Sequence, residues 1–218
     1  MENDVQRIWW EKTVEYLFVK QYIPKDALFT PLDGIHELAS DGILFSKVNW
    51  VLIEFKSTEH ELPREKDKFK VYDECMDKLK SFSHHHVFIY GVPRNHKIIL
   101  TACNYFDNTR ICSIEEALEG GTDPIQFTKY LVNFLLCKKS KRKLKSTIDY
   151  SNVIGIHNGE VVASLSVNSF LKTAWVELKR EQKKSPSSDV KKIMDAIAVV
   201  MEKNYSPIVR FGSRDALS

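Results

Sequence analysis

Apolar and polar positions alternate along this chain in two rhythms, one helical and one strand-like. Residues 4–22 place Val5, Ile8, Trp9, Thr13, Tyr16 and Leu17 at helical spacing, with Trp10, Val14 and Phe18 widening the face, which predicts an amphipathic helix. Residues 24–40 are mixed, with turn signals at Pro24, Pro31 and Asp33-Gly34. Two apolar runs, Ile43–Phe45 and Trp50–Phe55, then flank a polar turn around Ser46–Asn49, predicting a tight hairpin. In its second strand Trp50 and Leu52 face one way and Val51, Ile53 and Phe55 the other. Both faces are apolar, so this is a covered, central strand.

Beyond it, residues 62–83 read as one charged helix carrying Phe69, Tyr72, Met76, Leu79 and Phe82. His86–Val92 and Lys97–Cys103 read as strands around Pro93-Arg94-Asn95, and residues 113–137 as two helical segments divided near Gly120–Pro124. Further on, Val153–Ile156 and Glu160–Val167 flank His157-Asn158-Gly159, where Asn-Gly is a strong hairpin-turn signal. Helices are expected near 170–183 and, with Asp189 as N-cap, from 190 to about 203. The element order implies an α/β fold, a mixed central sheet flanked by helices, plus a small α+β C-terminal extension. The expected division is a core over 1–137, a basic linker over 138–147, and residues 148–218 either completing the first domain or forming a second small module.

The hairpin carries the candidate chemistry. With its turn centred between Lys47 and Val48, Asp41 faces Glu54 about 5 Å away, and Lys56 joins the same sheet face. Opposed carboxylates repel unless a cation lies between them, and Mg²⁺ or Mn²⁺ is the hard, oxygen-preferring candidate. The pattern acid-x-Lys is cheap in itself. It recurs at Glu177-Leu178-Lys179, Glu181-Gln182-Lys183 and Asp189-Val190-Lys191, but only Glu54-Phe55-Lys56 ends an apolar run with an Asp at hairpin distance. Glu177, the best decoy, shares helical spacing with Phe170, Leu171, Ala174, Trp175 and Leu178.

Asp41, Glu54 and Lys56, on a hairpin after an N-terminal helix, resemble the PD-(D/E)xK nuclease superfamily over roughly residues 5–105. Ser40 stands where the family often has Pro. The resemblance implies a restriction-endonuclease-like core and Mg²⁺-dependent hydrolysis of phosphodiester bonds, in DNA ahead of RNA. It implies Asp41 and Glu54 as metal ligands, the Phe55 carbonyl as a further ligand, and Lys56 assisting the water or the phosphate. By the same analogy an acid of the first helix supports the metal. Glu15 is that residue, with Glu11 the competitor and an ion pair with Lys12 or Lys20 the plainer reading. Lys68 and Tyr72 stand where one branch has Gln-x-x-x-Tyr, a possible phosphate contact and stacking ring, or simply a surface Lys beside a core Tyr. Restriction, antiviral defence and repair all use such enzymes, as homodimers or beside a helicase or ATPase. The other function class is a nucleic-acid-binding or scaffold subunit that keeps the fold without turnover.

Composition narrows this only slightly. At 43% hydrophobic, 28% charged and a net charge of +3 over 218 residues, the chain is ordinary and does not demand a nucleic-acid partner. No apolar run approaches ~18 residues, so no membrane role and a cytoplasmic location are expected. Charge is concentrated instead in Lys138, Lys139, Lys141, Arg142, Lys143 and Lys145, which either contact phosphates or form a solvated linker. His84-His85-His86 alternate across a strand and are expected to be structural rather than ligands. Cys75, Cys103, Cys112 and Cys137 lack metal-ligand spacing and read as reduced thiols.

Overall fold

The computed structural model describes residues 9–29, 47–108, 111–139 and 151–204. Its centre is a mixed seven-stranded sheet of order β1-β7-β6-β2-β3-β4-β5. The strands are β1 (Leu28–Phe29), β2 (Asn49–Lys56), β3 (His86–Arg94), β4 (Lys97–Asn104), β5 (Ile111–Cys112), β6 (Ser151–His157) and β7 (Glu160–Ser166). The helices are α1 (Glu11–Tyr22), α2 (Tyr72–Leu79), α3 (Ile114–Glu119), α4 (Pro124–Cys137), α5 (Val167–Lys184) and α6 (Ser188–Asn204).

β2 is the central strand, as its two apolar faces imply. Trp50 and Leu52 join one core with Phe127, Phe170, Leu171, Val190 and Ile197 under α2, α4, α5 and α6. Val51, Ile53 and Phe55 join the other, with Val14 and Phe18 of α1 and Ile114 and Ala117 of α3. The buried stripe of α1 is thus Val14 and Phe18, while Trp10 and Tyr16 are exposed at 72% and 66%. The apolar face is rotated from the expected one because Val14 and Phe18 meet β2 and Tyr16 does not.

The expected hairpin partner of β2 is not its neighbour. On one side β2 pairs antiparallel with β6 from Asn49↔Ile156 to Glu54↔Ser151. On the other it pairs parallel with β3 from Leu52↔His86 to Lys56↔Tyr90. Glu54 therefore opposes Ser151 and Phe88, and the Asp41↔Glu54 register is corrected: both edges of the strand are taken at that position. Asp41 itself lies outside the described residues, as does the Asp33-Gly34 turn. β6 and β7 join in the Asn158-Gly159 turn, both residues at positive φ (53° and 82°), and this C-terminal hairpin lies inside the same sheet as β2. No separate C-terminal sheet exists among the described residues.

The expected helix over 62–83 is broken. A 3-10 helix spans Glu59–Lys68 with Pro63 inside it, where a missing N–H disfavours regular α-helix. Phe69 is extended (φ −93°, ψ 154°) and bridges Lys138, with Lys70 N–H donating to the Cys137 carbonyl at 3.1 Å. Only then does α2 begin. Asp189 lies in the first turn of α6 rather than capping it. No described helix is long and apolar enough to cross a membrane.

Candidate functional site

Glu54 and Lys56 end β2 on the same face as Trp50 and Leu52, and both are buried (4% and 5% exposed). Burying charges is tolerable only where they are paired, and here they are paired with residues from three other elements. The 3-10 helix contributes Glu65, whose carboxylate lies 3.0 Å from Lys56 Nζ and 2.7 Å from Lys68 Nζ. The C-terminal end of α4 delivers Lys138, whose Nζ is 2.5 Å from Glu65 Oε1 and 3.5 Å from Glu54 Oε1. Helix α1 contributes Glu11, 3.5 Å from Lys56 Nζ. Glu54 and Lys56 are themselves 3.9 Å apart. Three glutamates and three lysines thus balance one another at one end of the central strand.

Aromatic rings enclose this network. Lys138 Nζ donates to the Tyr105 hydroxyl at 2.8 Å and sits 4.4 Å and 4.5 Å from the ring centroids of Phe69 and Phe134. Lys56 Nζ lies 5.9 Å from the Phe88 ring. His86 stacks on Tyr105 at 3.8 Å and meets the Tyr130 hydroxyl through Nδ1 at 2.7 Å. In so dry a setting the charges shift one another. Burial, reinforced by Glu65, raises the Glu54 carboxyl above its ordinary range despite Lys138, Lys68 and Lys56. Burial would also raise Glu65, but Lys138, Lys56 and Lys68 outweigh it and hold that carboxyl well below. Lys56 is opposed by burial yet kept charged by Glu54, Glu65 and Glu11, its pKa raised above that of a free lysine. Burial is also the first cause for Glu11, whose pKa is raised, with Lys56 opposing and Glu61 adding.

Several expectations are corrected here. Glu15 does not join the network: its carboxylate pairs with Lys12 at 2.6 Å, and Glu11, one turn earlier, reaches Lys56 instead. Lys138 is neither a surface phosphate contact nor part of a solvated linker, since its side chain runs inward and is 8% exposed. Lys139 is exposed and its N–H donates to the Lys68 carbonyl at 2.8 Å. Lys141, Arg142, Lys143 and Lys145 lie outside the described residues. Lys68 is occupied by Glu65, while Tyr72 packs edge-on to Phe69 and carries Lys66 Nζ 5.1 Å from its ring. The decoy Glu177 is on helix α5, paired with Arg180.

Glu65 escaped the sequence reading, and Lys138 was read there only as part of the basic run and not as the buried partner of Glu65 and Glu54. Glu65 had a signal: Leu62, Glu65 and Phe69 share one stripe of the 59–69 segment, and all three are buried. Lys138 had only its place as the first basic residue after an apolar helix.

The Phe55 carbonyl is placed differently from its neighbours. Leu52 N–H donates to the His85 carbonyl, so Leu52, Glu54 and Lys56 direct their backbone groups to β3 and Phe55 directs its own to the β6 side. Among the described residues the β2–β6 pairs run as far as Glu54↔Ser151, one residue before Phe55. This strand end thus presents the Glu54 carboxylate and the Phe55 carbonyl beside the carboxylates of Glu65 and Glu11. Among the described residues no group of three or more His, Cys, Asp or Glu is placed to hold a metal ion. His85 and His86 are buried, and desolvation lowers both, His85 to about 3, so they are neutral packing groups. No protein-family model matches the chain, and no curated protein or solved structure matches it significantly.

Proposed function

We propose that this chain is a metal-dependent nuclease with a restriction-endonuclease-like core, hydrolysing phosphodiester bonds in DNA ahead of RNA. One observation carries the reading. Glu54 and Lys56 lie on the same face at the end of the central strand, and α1 sends Glu11 to the lysine. The donor types suit Mg²⁺ or Mn²⁺, because the Glu54 carboxylate and the Phe55 carbonyl are hard oxygens on one strand end. The raised proton affinity of Glu54 marks a buried carboxylate that gains from added positive charge. Asp41 is the proposed second acidic ligand. A bound ion of this kind activates water and neutralises charge developing on a phosphate. The chain's own part is positional. Lys56, kept protonated by Glu54 and Glu65, supplies a fixed positive charge for a phosphate oxygen, and Glu11 sets its direction.

A second reading has its own observation. Lys138 places an ammonium between Glu54 and Glu65, where it already compensates the acid pair. That arrangement favours a nucleic-acid-binding or scaffold subunit that keeps the fold without turnover, or one that works only beside a second copy or an ATPase.

The deciding experiment incubates the purified chain with linear duplex, circular single-stranded and branched DNA in Mg²⁺ or Mn²⁺, beside Glu54→Ala. Cleavage lost in Glu54→Ala but retained in Glu177→Ala supports the nuclease. Binding without cleavage in every lane supports the scaffold.

A further inference from the structure

The end of the β3–β4 hairpin leaves the sheet behind. β2 accompanies β3 only as far as Lys56↔Tyr90, and β5 accompanies β4 only at Ala102 and Cys103. Beyond those limits the pairs Gly91↔Leu100, Val92↔Ile99, Pro93↔Ile98 and Arg94↔Lys97 form a two-stranded ribbon with no other strand beside it among the described residues. Asn95 and His96, at φ 48° and 61°, close it in a two-residue turn. Residues 92–97 are all exposed.

Two features of the ribbon are unfavourable for a free surface. Arg94 and Lys97 are directly opposed, and like charges so placed destabilise an antiparallel pair. Neither forms an ion pair among the described residues, and residues 91–99 contain no acid. The next pair inward on the same face is Val92 and Ile99, exposed at 36% and 41%. An anion between Arg94 and Lys97 would turn their repulsion into a joint attraction.

The ribbon is also aligned with the candidate site. Parallel partners share a face, and so do directly opposed antiparallel residues. Glu54 and Lys56, then Tyr90, then Val92 with Ile99, then Arg94 with Lys97 therefore follow one another along a single side of the sheet. Arg94 lies four residues past Tyr90, the partner of Lys56. At about 3.3 Å per residue, that is ~13 Å beyond the lysine.

We propose that this ribbon is a docking element for duplex nucleic acid, with Arg94 and Lys97 on backbone phosphates and the Val92–Ile99 pair against the groove. A two-stranded ribbon fits the major groove, and phosphate contacts set position rather than sequence. The inference deepens the nuclease reading and takes its substrate direction from it, but its test measures binding alone.

The full-length chain, with Glu54→Gln to suppress turnover, is titrated into a fluorescently labelled 20-base-pair duplex across a KCl series, with anisotropy as readout. Arg94→Ala/Lys97→Ala is expected to weaken binding at least ~10-fold at low salt and to reduce the slope of log K against log salt by about 2, near 0.9 for each phosphate no longer neutralised. Lys97→Arg should retain both, and Lys183→Ala/Lys184→Ala, on the exposed end of α5, should leave the slope unchanged. Circular dichroism confirms folding of each variant. An unaltered slope in the double variant, preference for single strands over duplex, or no binding by the parent protein would each overturn the proposal. A chain with native Glu54 that binds through Arg94 and Lys97 yet cleaves no DNA in Mg²⁺ or Mn²⁺ would fault the nuclease reading alone.

Discussion

Replacing Lys138 with methionine separates a buried structural cation from a surface phosphate contact. The substitution keeps the apolar stem between the Phe69 and Phe134 rings and deletes only the ammonium. Glu65 loses its 2.5 Å partner, Glu54 retains Lys56 at 3.9 Å, and the balanced network acquires one net negative charge. Breaking a buried pair by removing one partner typically costs about 3–5 kcal/mol. For a domain of this size that corresponds to a fall in Tm of roughly 10 °C. The assay is urea unfolding followed by tryptophan fluorescence, with the exposed neighbour Lys139→Met as reference, expected within about 0.5 kcal/mol of wild type. The pH dependence adds a second signature. Without Lys138 the Glu54 carboxyl rises further, and a carboxyl raised in the folded state gains stability as pH falls. The defect should therefore shrink on acidification toward the pH at which Glu54 takes up its proton. A loss below ~1 kcal/mol at neutral pH, equal to that of Lys139→Met, would refute the buried-cation argument.

Other outcomes follow from the same geometry. Glu65→Gln should destabilise by a comparable amount, about 3 kcal/mol or more, and a double-mutant cycle with Lys138→Met should be strongly non-additive; additive losses would separate the two residues. If the nuclease reading holds, Glu11→Gln should lower cleavage well beyond Glu15→Gln, since Glu11 reaches Lys56 and Glu15 pairs with Lys12; equal or reversed effects would return Glu15 to the site. His85 is held to about 3 by burial, with His84 adding, against an ordinary 6.5. The unfolded chain therefore binds the extra proton across that interval, and stability should fall as pH drops from 6.5 toward 3. His85→Phe should flatten this limb by up to about 1.4 kcal/mol per pH unit, and an unchanged slope in urea titrations would assign the proton elsewhere.

The parts of the fold legible in the sequence are those decided by local pattern. Two apolar faces marked β2 as covered, Asn158-Gly159 marked the β6–β7 turn, and Gly120–Pro124 marked the break before α4. The failures arise where distant residues compete with local ones. Ile43–Phe45 offered β2 a nearby partner, yet Ser151–His157 occupies that edge from about a hundred positions away. Glu54 and Lys56 were legible because a charged pair ending an apolar strand must be either paired or functional. Lys138 was not, because five basic residues soon after it make the whole run look solvated. Glu15 and Glu11 are separated by one helical turn, and only the packing of Val14 and Phe18 against β2 decides which one reaches Lys56.

The position of β6 between β7 and β2 governs the order in which the molecule can be made. During synthesis β2 emerges with β3 soon after it, but its other edge has no partner until residues 151–157 follow. At ~5–20 residues per second that interval lasts roughly 5–20 s. Through it the nascent chain carries an open, hydrophobic strand edge of the kind that recruits other chains. Cutting the polypeptide within the basic stretch 138–147 would make this transient condition permanent. An N-terminal fragment ending there should therefore be insoluble by itself and recovered by co-expression with residues 148–218.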